Sequence, residues 1–190
     1  DTTLFRAREE VDWDAWLGAC PWRPYNATYV EGSWRGWYDF YNSCIGEWGS
    51  HTLAQCQMAL GMAERSPVRY TFVDHPSAEG MEMMFDNGVK MIQTTKGWHG
   101  TCGVRFVGSE GWVSCADGYS RPEVSHQSLL ADYQAVLQNY LARTGHCVGH
   151  MRNFLNCVKT RGITVANPVV THRTMSTVHV ANITSWLKRD

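Results

Sequence analysis

A chain of 190 residues, with 17 Lys/Arg against 18 Asp/Glu and 44% hydrophobic residues, has room for one well-buried domain and not for two ordinary ones. The near-neutral balance excludes a basic nucleic-acid surface, and the apolar content excludes a disordered chain. No run of apolar residues is long enough to span a membrane.

The seven cysteines (Cys20, Cys44, Cys56, Cys102, Cys115, Cys147 and Cys157) are odd in number, widely spread and without a C-x-x-C pair. They read as free thiols in a reducing compartment, so a cytoplasmic location is expected, or a periplasmic one if an export signal lies upstream. A start at Asp1, without methionine or a signal peptide, reads as a fragment or a processed product. Nine tryptophans are many for this length. About six are expected to fill the core, and the excess points to a ligand cleft or a large interface.

In chain order, residues 1–33 read as an irregular but ordered arm lying across a body rather than a free tail, punctuated by Pro21, Pro24 and Gly32, with aromatics at Trp13, Trp16, Trp22, Tyr25 and Tyr29. A helical pattern runs from Ser43 to Met62, with Trp48, Leu53, Cys56, Met58 and Leu60 available for burial and Gly61 as its stop. Strand signals follow at Val68–Val73, and at Met81–Phe85 and Val89–Thr94 around the turn Asp86-Asn87-Gly88. Cys102–Val107 and Trp112–Ala116 form a second hairpin around Gly108-Ser109-Glu110-Gly111. Helices are expected at Leu129–Arg143 and Val148–Arg161, then an extended piece at Ile163–Val170 and a last helix from Thr171 to Leu187. Strands followed by helices predict an α+β domain, a mainly antiparallel open sheet with helices on one face. Its other face needs a second domain or a second subunit.

The densest chemistry lies between Trp34 and His51, where three tryptophans, Arg35, Asp39, Glu47 and His51 are interleaved with glycines. Aromatic faces stack on the C–H faces of a polyhydroxylated ligand, and charged groups take its hydroxyls. Glu47 and His51, four apart in a predicted helix, share a face, and a carboxylate there orients an imidazole as a general base. The alternative is an exposed i,i+4 pair of no consequence. His146-Cys147-x-x-His150 has loose metal-ligand spacing but no paired motif, so no metal site is expected. His172-Arg173 opens the last helix, where the pair binds an anion or substrate oxygen, or merely caps it. His99, His126 and His179 have no local constellation. Asn26-Ala27-Thr28 and Asn182-Ile183-Thr184 match glycosylation sequons, which arise often by chance. No glycine-rich phosphate loop occurs.

Taken together, these residues resemble the C-terminal domain of the Gfo/Idh/MocA oxidoreductases (the glucose–fructose oxidoreductase and inositol dehydrogenase group), in a bacterial branch. Asp12 to Asn26 resembles D-W-D-x-W-L-G-P-A-P-W-R-P-Y-N, Trp34 to Phe40 resembles W-R-G-x-x-D-F, and Glu47 to Thr52 resembles D-W-G-x-H-T. Gly103 to Trp112 is similar to V-R-F-x-G-x-E-G-W, His150 to Arg161 to H-x-x-N-F-L-D-C-V-K-S-R, and Thr171-His172-Arg173 to G-H-R. Glu47 stands where the branch has Asp, Ala54 where a second Asp follows the histidine, and Asn156 where the later helix has Asp.

The resemblance implies that residues 1–190 are a single substrate-binding and oligomerisation domain, an arm over 1–33 and an α+β body over 34–190. An N-terminal Rossmann domain that binds NAD or NADP is absent from this chain. It further implies a sugar, glycoside or polyol substrate, His51 as acid/base beside the nicotinamide with Glu47 as its orienter, and Arg35, Trp37 and His172 as substrate contacts. A homo-oligomer through the open sheet face is expected, with neither nucleic acid nor membrane as partner, and no turnover by the isolated chain. Two alternatives stand beside the dehydrogenase: an NAD-dependent glycoside-cleaving enzyme of the same family, and a non-catalytic sugar-binding or assembly module.

Overall fold

A computed structural model describes residues 11–30, 33–75, 78–94, 103–116 and 121–190. His99, Cys102 and the first ten residues of the arm lie outside the described residues.

The arm is ordered, as expected, and holds two short helices where irregular chain was expected. Asp12 caps helix α1 (Trp13–Leu17), its carboxylate accepting the Ala15 N–H at 3.0 Å, and Gly18 ends it at φ +57°. Helix α2 (Ala27–Val30) follows. Trp13, Leu17 and Tyr29 are buried together, with Trp16, Tyr25 and Phe40 packed around them. Trp13 stacks on Trp16 at 4.9 Å and its indole N–H donates to the Arg23 carbonyl at 2.8 Å, so this indole is both packed and satisfied. The Arg23 guanidinium lies over Phe40 and pairs with Asp39, tying the arm to the segment that follows.

Beyond the arm come a 3₁₀ turn (Ser33–Gly36) and helices α3 (Ser43–Glu47) and α4 (Gly49–Ala59), where one longer helix was expected. Strands β1 (Arg69–His75), β2 (Ala78–Met84) and β3 (Lys90–Thr94) form one antiparallel sheet. Strands β4 (Gly103–Gly108), β5 (Gly111–Ala116) and β6 (Glu123–Val124) form another. The expected strands therefore exist and pair as predicted, but divide into two three-stranded sheets. Asp86-Asn87-Gly88 makes the first hairpin turn, with Gly88 at φ +83° and the Asn87 side chain accepting the Val89 N–H at 3.1 Å.

Helices α5 (Tyr133–Thr144), α6 (His150–Thr160) and α7 (Pro168–Leu187) complete the α+β domain. Helix α7 begins earlier than Thr171. Asn167 caps it by accepting the N–H groups of Val169 and Val170, and Pro168 takes the first helical position, where its missing N–H costs nothing. No helix among the described residues is long and apolar enough to cross a membrane.

The main core lies between the first sheet and helices α4 and α7: Met81, Met83, Phe85 and Met91 pack against Leu53, Val178 and Ala181. Met83 and Phe85 are essentially sealed, and truncating such a side chain costs about 2–5 kcal/mol. Two expectations of burial fail. Of the eight described tryptophans only Trp13 is buried, and Trp22, Trp37, Trp48 and Trp186 are all more than 40% exposed. Helix α6 likewise leaves Met151, Phe154, Leu155 and Val158 exposed, a stripe at helical spacing with no covering element among the described residues.

Candidate functional site

The 3₁₀ turn Ser33–Gly36 brings Trp34, Arg35 and Trp37 to the surface in one tight bend, closed by the Trp37 N–H on the Trp34 carbonyl at 3.0 Å. Arg35 lies with its guanidinium 4.3 Å from the centre of the Trp34 ring. Its Nε is 3.1 Å from both carboxylate oxygens of Glu47, and its Nη2 donates to Oε1. That forked contact is a charge-assisted pair of fixed geometry. Tyr41 stands edge-on to Trp34 at 5.6 Å. The Arg35 guanidinium holds the Glu47 carboxyl below the ordinary carboxylate range, and a hydrogen bond with Tyr41 acts in the same direction. Burial pushes the Tyr41 phenol up, reinforced by the neighbouring carboxylate.

Glu47 therefore has a partner that sequence spacing does not suggest. The backbone supplies the reason. The Ser50 hydroxyl donates to the Glu47 carbonyl at 3.0 Å, while the His51 N–H goes to Trp48 O at 3.2 Å, an i→i−3 bond at the junction of α3 and α4. The tighter junction interrupts the register that would place Glu47 and His51 one above the other. The carboxylate turns back to Arg35, and His51 stands exposed on the first turn of α4, its ring without a hydrogen-bond partner among the described residues. Beside it Trp48 is 45% exposed.

What fixes α3 is a polar network on α7. Asn182, buried, donates through Nδ2 to the Asn42 carbonyl at 3.0 Å and to Asn42 Oδ1 at 2.7 Å, and its Oδ1 accepts the Ser43 hydroxyl at 2.8 Å. Asn42 Nδ2 in turn lies 3.2 Å from His179 Nδ1, which acts as acceptor. Ser43 is held at φ +62°, a conformation that a side chain other than glycine rarely adopts. These four residues carry no local signal, because their partners are some 140 positions apart. The burial of Asn182 and Thr184 places the second sequon inside the fold.

The remaining candidates are less closely assembled. Trp37 packs edge-on against Tyr29 at 4.9 Å and keeps 42% of its surface exposed. His172 is exposed near the start of α7; its carbonyl accepts the Ser176 hydroxyl at 2.8 Å, and its ring has no hydrogen-bond partner among the described residues. Nothing described joins it to Arg35, Trp37, Glu47 or His51. His146 pairs through Nδ1 with the Tyr140 hydroxyl at 3.2 Å, and Cys147 accepts from Asn156 at 3.7 Å. Among the described residues no group of three or more His, Cys, Asp or Glu is disposed to hold a metal ion.

The assembled part is thus a flat platform of Trp34, Arg35 and Glu47, two exposed indoles at Trp37 and Trp48, and the exposed imidazole of His51. Residues 3–190 match the sequence model of the Gfo/Idh/MocA oxidoreductase family, C-terminal alpha/beta domain. No curated protein and no solved structure gives a match.

Proposed function

The chain belongs to the Gfo/Idh/MocA oxidoreductase family, as its C-terminal α/β domain, and on that premise we propose that it is the substrate-binding half of an NAD(P)-dependent oxidoreductase acting on a sugar, glycoside or polyol. The observation that carries this reading is His51: an exposed imidazole with no hydrogen-bond partner among the described residues, set beside exposed Trp48 and one helix junction away from the Arg35–Glu47 platform. A general base must reach the proton it takes, and a histidine already engaged by a carboxylate or carbonyl would have to give up that bond first.

In this reading His51 accepts the proton of the substrate hydroxyl as its carbinol carbon is oxidised. Glu47 is a positioning residue: it holds Arg35 flat on Trp34, so the guanidinium edge meets substrate oxygens in a fixed direction. Trp37 supplies a face for the C–H side of a sugar ring, and His172 contacts the substrate from α7.

NAD(P), when bound, supplies the hydride acceptor. The chain has no glycine-rich phosphate loop, so a Rossmann domain of the same protein would hold the dinucleotide, and the exposed Trp48–His51 turn is the part of this chain fitted to its nicotinamide end. Covering by that domain, or by a second copy on the outer sheet face, agrees with the apolar surface left on α6 and with exposed Ile92 on β3.

The test is His51→Ala and His51→Gln in the full-length protein, assayed by NAD(P)H formation with sugars and polyols. A fall in kcat of about 10²–10⁴-fold with an unchanged melting temperature is expected. Unchanged turnover would remove His51 from the chemistry and leave a binding module. Net glycoside hydrolysis without net cofactor reduction would instead assign the redox-assisted cleavage found among relatives.

A further inference from the structure

Charge is segregated along this chain. From Tyr133 to Arg189 there are seven Lys/Arg and four histidines, and no Asp or Glu at all. The other residues carry ten Lys/Arg against eighteen Asp/Glu. The near-neutral whole thus hides a helical third, α5 to α7, of uniformly positive sign, which attracts anions before any particular contact forms.

Within that third lies a cavity of about 410 Å³, between the end of α5, the loop that leaves it and one face of α6. Its volume is in the range that holds small organic ligands. Its wall includes His146, Cys147, Asn153, Asn156, Cys157 and Lys159, with no carboxylate. Asn153, Asn156 and Cys157 stand at i, i+3 and i+4 on α6 and so face the same way. Lys159 has no ion-pair partner among the described residues, and the segment that surrounds it in sequence offers none. Asn153 is 7% exposed; its Oδ1 accepts the Val165 N–H at 2.9 Å, which leaves its Nδ2 donor without a protein partner among the described residues. The α5 carbonyls nearest the cavity are already used, Leu141 O by the Gly145 N–H and Tyr140 O by the Thr144 hydroxyl, so they place no demand on the lysine.

From this we infer that the cavity beside Lys159 is a binding site for a small organic oxyanion, a phosphate ester or a carboxylate. Lys159 supplies the countercharge, Asn153 donates a directed hydrogen bond, and Cys147 and Cys157 line the less polar wall where the body of the ligand rests. The site is separate from the His51 platform and does not depend on the function proposed for it.

The two thiols report occupancy. The purified chain is treated with iodoacetamide, a neutral reagent, in potassium phosphate, in glycerol phosphate, in acetate, and in potassium chloride of equal ionic strength. Alkylation of Cys44, Cys147 and Cys157 is followed by peptide mass. Alkylation of Cys147 and Cys157 about threefold or more slower at saturating oxyanion than in chloride is expected, with exposed Cys44 unchanged and the effect lost in Lys159→Gln but kept in Lys159→Arg. Slowing by the phosphates alone or by acetate as well identifies which oxyanion the site takes. Equal rates in all four salts would overturn the site. So would equal slowing at Cys44, or protection that survives Lys159→Gln.

Discussion

Replacing Asn182 by Ala tests whether the polar network on α7 holds the candidate site in place. The substitution removes three hydrogen bonds at 2.7–3.0 Å and strands the Ser43 hydroxyl and Asn42 Oδ1, while the Asn42 carbonyl keeps the Gly46 N–H at 3.1 Å. Net values near 0.5–1.5 kcal/mol per bond give roughly 1.5–4.5 kcal/mol. Asn42 and Ser43 are only half-buried, so water relieves part of the loss and about 2–3 kcal/mol remains. For a chain of this size each kcal/mol lowers Tm by about 2–4 °C, so a drop of about 4–12 °C is expected by circular dichroism. Ser43→Gly provides the contrast. It loses one bond but relieves the positive-φ strain, worth about 1 kcal/mol, and should lie within about 0.5 kcal/mol of the parent. A Tm for Asn182→Ala within about 2 °C of the parent would show that these bonds merely replace bonds to water, and that something else holds α3.

Three further outcomes follow from the same geometry. Burial pushes the Cys56 thiol up to about 11, so at pH 8 it should alkylate far more slowly than exposed Cys44, with the gap closing as pH approaches that value. The lowered Glu47 carboxyl contributes stability that is fully present above its ordinary value of 4.5 and is lost as pH falls through the lower folded value; Tm measured against pH should show a small acid limb that Glu47→Gln flattens, and an unchanged limb would place the pair outside the folded-state balance. Gly80→Ala should destabilise by about 1–3 kcal/mol, because a Cβ there would lie 2.6 Å from the Gln93 carbonyl across the β2–β3 ladder; a parental urea midpoint would mean that the strands separate at little cost.

How far the sequence could be read depended on whether the information was local. The strands and their turns were legible because alternation, β-branching and Asp86-Asn87-Gly88 act within a few residues, and the family motifs pointed to the same domain that the sequence model matches. The arm was legible as an ordered segment from its dense aromatics, but its two short helices were not, nor the stacking and Arg23 contacts that hold Trp13 and Tyr29, which no periodicity records. Tryptophan burial was overestimated, because composition counts indoles but does not say which of them the domain turns outward.

The candidate site divides along the same line. Its residue types were legible: Arg35, Glu47, Trp37 and His51 all lie in the one segment whose chemistry stood out. Its pairing was not, because the i,i+4 argument assumes an unbroken helix, and here two helices meet at Trp48. At that junction the His51 N–H goes to Trp48 O, while the Glu47 carbonyl accepts the Ser50 hydroxyl. The consequence reaches the chemistry. The carboxylate expected to partner the histidine instead fixes an arginine on an indole, and the histidine ring has no hydrogen-bond partner among the described residues. In the proposed function this arrangement orients the substrate with the charge pair and leaves the proton acceptor unengaged until substrate arrives.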